Sequence, residues 1–279
     1  MKKILLAVDF SEGTNASCNY VMELIKYYDT EIYLFHSYFD KILVSESGFP
    51  TGIGADTLMN RTVVGEIKEQ AEKNIKDLKS YILSKIPKKK VHIIVEGGEA
   101  EDAIIFTAKE INADLIIIGN SGSASRGVFS GSISKKIMCN ADVPVLMIPL
   151  EFCFEKLSNV LYLTEFSECD FEIINWIFAL FGKQKIRIHT LHLDRGNREC
   201  TEKMNQLKAK IKETEDLICF NLVESQNEYE DVEKYIIDNS IDMIAFLSHK
   251  RNFLNKLFSS KFSKQDLYKT NIPLLAFKA

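Results

Sequence analysis

The stretch GNSGSASRGVFSGS, residues 119–132, joins the apolar run Leu115-Ile-Ile-Ile118 to a helix-like segment. Gly119 and Gly122 carry no Cβ, so the backbone there can reach positive φ and approach a ligand closely. Successive amide N–H groups in such a turn form an anion-binding concavity. Gly131, Ser132 and Ile133 then open a helix, whose unpaired N–H groups and dipole favour negative charge. The hydroxyl of Ser132 adds a donor. The chemistry these residues offer is the holding of a phosphate. The bland alternative is a glycine-rich turn that merely connects strand to helix.

Asp9 is the second candidate, placed where the apolar run Ala7-Val8 ends. A carboxylate there can accept hydrogen bonds from a ligand, or cap the next helix together with Ser11, since Asp and Ser are both preferred caps. His36, alternating with apolar residues, reads as a satisfied core side chain rather than a ligand. The histidines (36, 92, 189, 192, 249) form no HxxxH pair, and no cysteines lie at zinc-like spacing. No nucleophile–base pair is recognisable, and the chain is not expected to be an efficient enzyme.

The elements that position these residues come twice. KILLAVDFS (3–11) recurs as NVLYLTEFS (159–167), and Phe35-His36 recurs as Leu191-His192 at the same offset. ADLIII (113–118) matches IDMIAF (241–246), and DVPVLMI (142–148) matches NIPLLAF (271–277). Four landmarks in one order identify a tandem duplication. Its domains are expected at 1–150 and 151–279. In the first copy, apolar runs near 3–8, 31–37, 91–95, 114–118 and 143–148 suit strands buried on both faces of a parallel sheet. Amphipathic stretches lie between, such as 64–86, with Ile67, Ala71, Ile75, Leu78 and Ile82 at helical spacing. The alternation predicts two doubly wound α/β domains, each with a five-stranded parallel, Rossmann-like sheet. Ligands of such sheets bind at the carboxyl ends of the strands. Asp9 and the glycine loop both fall there.

Bulk properties narrow the class. A chain of 279 residues, 46% hydrophobic and 27% charged, reads as globular, and its net charge of −4 gives no reason to expect nucleic acid as a partner. Six cysteines without CxxC spacing read as reduced, and the apolar run after Lys2-Lys3 ends too early for a secretory core. No window approaches membrane-spanning length. A cytoplasmic protein without membrane attachment is expected.

The chain resembles the universal stress protein family as a two-domain tandem member. The carriers are Ala7-Val8-Asp9-Phe10-Ser11, His36, Gly98, Gly119-x-x-Gly122…Gly131-Ser132 and the closing strand Val143–Ile148. Nucleotide-binding members carry a G-x2-G-x9-G-S/T loop around the phosphates of ATP; here eight residues separate Gly122 from Gly131, one fewer. The resemblance implies ATP as ligand, with Mg2+ or Mn2+. It gives Asp9 the adenine or ribose, Ser37 a backbone contact to the adenine edge, and Ala7, Val8, Gly119, Gly122, Gly131, Ser132 and Ile133 the surrounding site. It also implies pairing of the two domains through their last strands and a possible homodimer of chains.

In the second copy Leu247, Lys250 and Ser260 stand for Gly119, Gly122 and Gly131, and Glu165 stands for Asp9. Side chains block close backbone approach, and positive φ becomes costly. The extra segment 40–61 of the first copy, read as a loop, also has no counterpart. A connector without a ligand would drift alike in both copies, so the asymmetry predicts one binding and one degenerate site. The function expected is a nucleotide-responsive stress regulator. The rival is an interaction scaffold acting through its surface or the 40–61 segment.

Overall fold

Runs of Ile, Leu and Val become strands because β-branched and aliphatic side chains fit a surface covered on both faces. In the computed structural model of the protein, residues 2–27, 29–38, 53–120, 131–150, 152, 154, 156–182, 186–194, 199–248 and 272–278 are described. They form an α/β fold with mostly parallel strands, in two units, Met1–Val143 and Pro144–Ala279.

The first unit runs β1 (Lys2–Ala7), α1 (Glu12–Leu24), β2 (Thr30–Tyr38), α2 (Ile53–Lys85), β3 (Lys90–Gly97), α3 (Ala100–Glu110), β4 (Leu115–Gly119) and α4 (Gly131–Asn140). Its parallel strands lie in the order β3-β2-β1-β4. Ile4 to Val8 and Leu115 to Ile118 are all buried, as the unbroken apolar runs require. On α2, Ala71, Ile75 and Ile82 are buried but Ile67 is exposed. This helix begins at Ile53, inside the segment expected to be a loop. From Ala55 to Arg61 no glycine or proline interrupts it, so the helix extends towards Gly52. Residues 39–52 lie outside the described residues.

The second unit holds β5 (Val145–Ile148), β6 (Asn159–Leu163), α5 (Asp170–Phe181), β7 (Arg187–Asp194), α6 (Glu199–Lys210), β8 (Ile218–Glu224), α7 (Glu228–Asp238), β9 (Met243–Leu247) and β10 (Leu274–Phe277). The parallel order β10-β9-β6-β7-β8 repeats the connectivity of the first copy. On β10 lies β5, antiparallel, with Leu274 opposite Met147.

The repeated landmarks have a physical basis. Asp114 Oδ2 accepts the Lys3 amide at 2.7 Å, and Asp242 Oδ2 accepts those of Ser158 and Asn159 at 2.7 and 2.8 Å. In each copy the aspartate before the fourth strand holds the start of the first. The residues after Asp9 and Glu165, Phe10 and Phe166, both sit at positive φ, 58° and 56°.

Candidate functional site

Strand register sets the level of each candidate. Ala7 pairs with Phe35 on one side and Ile118 on the other. Two residues beyond that row come Asp9, Ser37 and Asn120, all at the carboxyl ends of adjacent strands. Ser37 pairs with Glu96 of β3, and both Ser37 and Asn120 are buried. Asn120 was not singled out from sequence, since only the register shows it level with Asp9.

The turn after β1 is tightly held. Asp9 Oδ1 accepts hydrogen bonds from Ser11 N at 3.1 Å, Ser11 Oγ at 2.5 Å and Thr14 Oγ1 at 3.0 Å, while Asp9 N donates to Thr14 Oγ1 at 3.1 Å. Ser11 is the N-cap residue of α1, yet its hydroxyl makes no cap bond and turns to Asp9 instead. The sequence expectation of a Ser11 cap is corrected accordingly. Buried Thr14 is a partner that sequence reasoning missed, although its spacing of five from Asp9 was in view.

Ala7 and Val8 are fully buried, and Val8 spends both backbone groups on protein. Its N–H donates to Phe35 O at 2.8 Å and its carbonyl accepts from His36 Nδ1 at 2.7 Å. A carbonyl only accepts, so Nδ1 carries the proton. The same bond recurs as His192 Nδ1 to Thr164 O at 2.8 Å. In each copy the ring also packs against the positive-φ phenylalanine, Phe10 at 4.5 Å or Phe166 at 5.2 Å between centroids. His36 is thus the structural residue its strand pattern suggested.

Burial pushes the pKa of His36 down, against smaller upward pulls from the Val8 carbonyl and Asp9. His189 is lowered too, by burial and then Arg187. Below the unfolded value of about 6.5 the unfolded chain takes up protons that these rings refuse, so stability present above that pH is lost as the pH falls towards the lowered folded values. Urea unfolding should show lower stability at about pH 5.5 than at about pH 7.5. His36→Asn, whose amide can still donate to Val8 O, should shrink that difference; an undiminished difference would assign the acid sensitivity elsewhere.

Gly119 does not adopt positive φ, contrary to the conformational argument made from sequence. Its missing side chain serves packing instead: an added Cβ would lie 2.2 Å from the carbonyl oxygen of Gly13, at the start of α1. Positive φ is found at Gly98, 122°, where the chain leaves β3 and the N–H donates to Tyr38 O at 3.1 Å. Gly122 lies outside the described residues. Gly131 and Ser132 open α4, which is tied to α3 by Lys136 Nζ and Asn140 Nδ2 on the Glu101 carboxylate, at 3.3 and 2.7 Å.

The second copy is built differently at the same level. Glu165 replaces Asp9, but Asp170, at the position of Thr14, points a fully buried carboxylate towards the strand end. It accepts from Tyr162 Oη at 2.8 Å, Ser167 Oγ at 2.5 Å, Ser167 N at 3.1 Å and the Thr164 hydroxyl. Burial and then the Asp170 charge push the Tyr162 pKa far up, which keeps it a donor. Leu247 is buried where Gly119 stood. Lys250 and Ser260 lie outside the described residues.

Among the described residues, no group of three or more His, Cys, Asp or Glu is placed to hold a metal ion. Among them, too, no helix is long and apolar enough to cross a membrane.

Comparison with known proteins agrees with this architecture. A universal stress protein from Archaeoglobus fulgidus DSM 4304 shares 16% identity at a TM-score of 0.67, covering 99% of this chain and 96% of its own. A chain from Pseudomonas aeruginosa UCBPP-PA14, solved as a candidate universal stress protein, shares 10% at a TM-score of 0.54, covering 100% and 93%. A universal stress protein solved in complex with cAMP covers 53% of this chain and 96% of its own, with 17% identity and a TM-score of 0.36. No curated protein sequence matches the chain. The sequence model of the universal stress protein family matches residues 1–149, more than half of the length and the whole stretch from Asp9 to the closing strand. The chain therefore belongs to the universal stress protein family.

Proposed function

We propose that the first copy binds an adenine nucleotide, ATP with Mg2+ or Mn2+, and that the second has lost this ability. The observation that carries the reading is the row of Asp9, Ser37 and Asn120 at one end of three adjacent strands, beside the point where the glycine loop leaves β4. The donor set suits a nucleoside. The Asp9 carboxylate would accept from ribose hydroxyls or the adenine amine, and Ser37 would present backbone to the base. The amides at Gly119 and at the start of α4 would face the phosphates, whose charge a divalent ion shares. The contrast with the second copy supports the reading, because Leu247 is buried where Gly119 stands and Glu165 replaces Asp9.

The protein is a binder in this reading, not an enzyme, and acts in the cytoplasm as a nucleotide-responsive stress regulator. Pairing of the two copies through their closing strands belongs to it, and the β5–β10 ladder supports that part. Titration calorimetry of the full chain with ATP and Mg2+ should give one saturable site. Asp9→Ala should weaken it about tenfold or more, the value of a charge-assisted hydrogen bond. No heat at millimolar ATP, for folded protein, would refute the proposal and leave the scaffold reading.

A further inference from the structure

Cys200 sits half-exposed in the first turn of α6 with its Sγ 3.2 Å from His192 Nε2. The proton positions follow from the other side of the ring. Nδ1 faces the Thr164 carbonyl at 2.8 Å and must carry hydrogen, so Nε2 of the neutral ring is a lone pair aimed at the thiol. The ring cannot turn away, being held by that bond and by the Phe166 ring. Thr164 in turn is anchored through its hydroxyl to the buried Asp170 carboxylate, the nearest negative charge in this chain of bonds. Thiol and base within reach, with the base oriented by a third group, is the arrangement of an activated nucleophile. The helix start adds to it, since unpaired N–H groups of a first turn favour thiolate. On α6 the charged residues that follow next in sequence are Glu202 and Lys203, with Lys203 at the i+3 spacing that shares a helix face.

We propose that Cys200 is a redox-modification site whose substrate class is a hydroperoxide, with His192 as its base. The thiol proton passes to Nε2, and the thiolate attacks the terminal peroxide oxygen. An S–O bond forms as the O–O bond breaks, the sulfur is oxidised to sulfenic acid, and the peroxide is reduced. The leaving alkoxide or hydroxide takes its proton from the imidazolium, so thiol and ROOH give sulfenic acid and ROH. Two other described cysteines, Cys18 and Cys169, stand in different settings. Burial pushes the Cys18 thiol up to about 12, and Cys169 meets the Ser167 hydroxyl rather than a base. The site lies in the copy assigned no nucleotide, so its test stands apart from ATP binding.

Iodoacetamide labelling of the full chain across pH, read for each cysteine by peptide mass spectrometry, tests the base. A thiol paired with a base gains in thiolate and loses part of that gain in nucleophilicity, so Cys200 should label about tenfold faster than Cys169 at pH 6.5. Its midpoint should fall below the free-thiol value of about 8.5. His192→Gln should raise the midpoint and remove the advantage. Should that variant not fold by circular dichroism, the comparison with Cys169 in the unaltered chain decides. Dimedone after stoichiometric hydrogen peroxide should mark Cys200. Labelling no faster than Cys169, an unchanged profile in folded His192→Gln, or no dimedone adduct would each overturn the proposal.

Discussion

Gly119→Ala should destabilise the protein by about 3 kcal/mol or more, or prevent the first unit from folding. The added methyl would stand 2.2 Å from Gly13 O and 2.5 Å from Gly13 C, far inside van der Waals contact. Both obstacles are backbone, so no rotamer change relieves them. Relief requires moving the start of α1 away from β4, against the sheet core formed by Leu5, Leu6, Ile116 and Ile117. That movement would also pull on Thr14, the next residue of α1 and a partner of Asp9, so under the proposed function nucleotide affinity should fall with stability. Gly65→Ala is the matched control. It lies within α2 with nothing inside 4 Å of its added Cβ, and should stabilise by about 0.5–1 kcal/mol. Thermal melts by circular dichroism would compare the two. The sole tryptophan, Trp176 on α5, packs edge-on against Phe277 and reports on the second unit separately. A Gly119→Ala melt matching the unaltered chain would show that β4 and α1 do not pack as described.

Asp170→Ala should cost the second unit about 3 kcal/mol or more. The carboxylate is fully buried and receives three side-chain hydroxyls and one amide. Truncating it strands Tyr162 Oη and the Thr164 hydroxyl among residues with almost no exposed surface, and each buried donor left unsatisfied costs about 1–3 kcal/mol. Asp170→Asn keeps the shape but turns one acceptor into a donor, so it should lose less than the alanine variant. Urea unfolding followed through Trp176, six residues along the same helix, reads the effect directly. A loss below about 1 kcal/mol would mean that water or a neighbouring group already satisfies those hydroxyls. The experiment also bears on the second copy, because this carboxylate stands at the position of Thr14, the partner of Asp9 in the first.

The strands of the first copy were legible because each centres on a run of apolar residues, and the duplication because its landmarks do mechanical work. Asp114 and Asp242 recur since both tie down the start of the first strand. The α2 start was misread because Gly48, Pro50, Gly52 and Gly54 suggested a loop up to Arg61, while residues 55–61 were free to extend the helix. His36 was read correctly as structural, and its counterpart His192 makes the same bond to a strand-end carbonyl. The partner on the far side of His192 was not readable, since Cys200 reaches it only when α6 folds back across the end of β7.

The amino-acid order alone determined the alternation of buried strands with helices, the two copies, and the placement of Asp9 at a strand end. These follow from hydrophobic periodicity and from chain neighbours, which act within a few residues. Only the tertiary structure decided that Gly119 is small for the sake of Gly13, that Asp170 gathers four hydrogen bonds beside the end of β6, and that Asn120 stands level with Asp9. Each of those depends on strand register and on helices returning across the sheet, where distances of a few tenths of an ångström separate contact from clash.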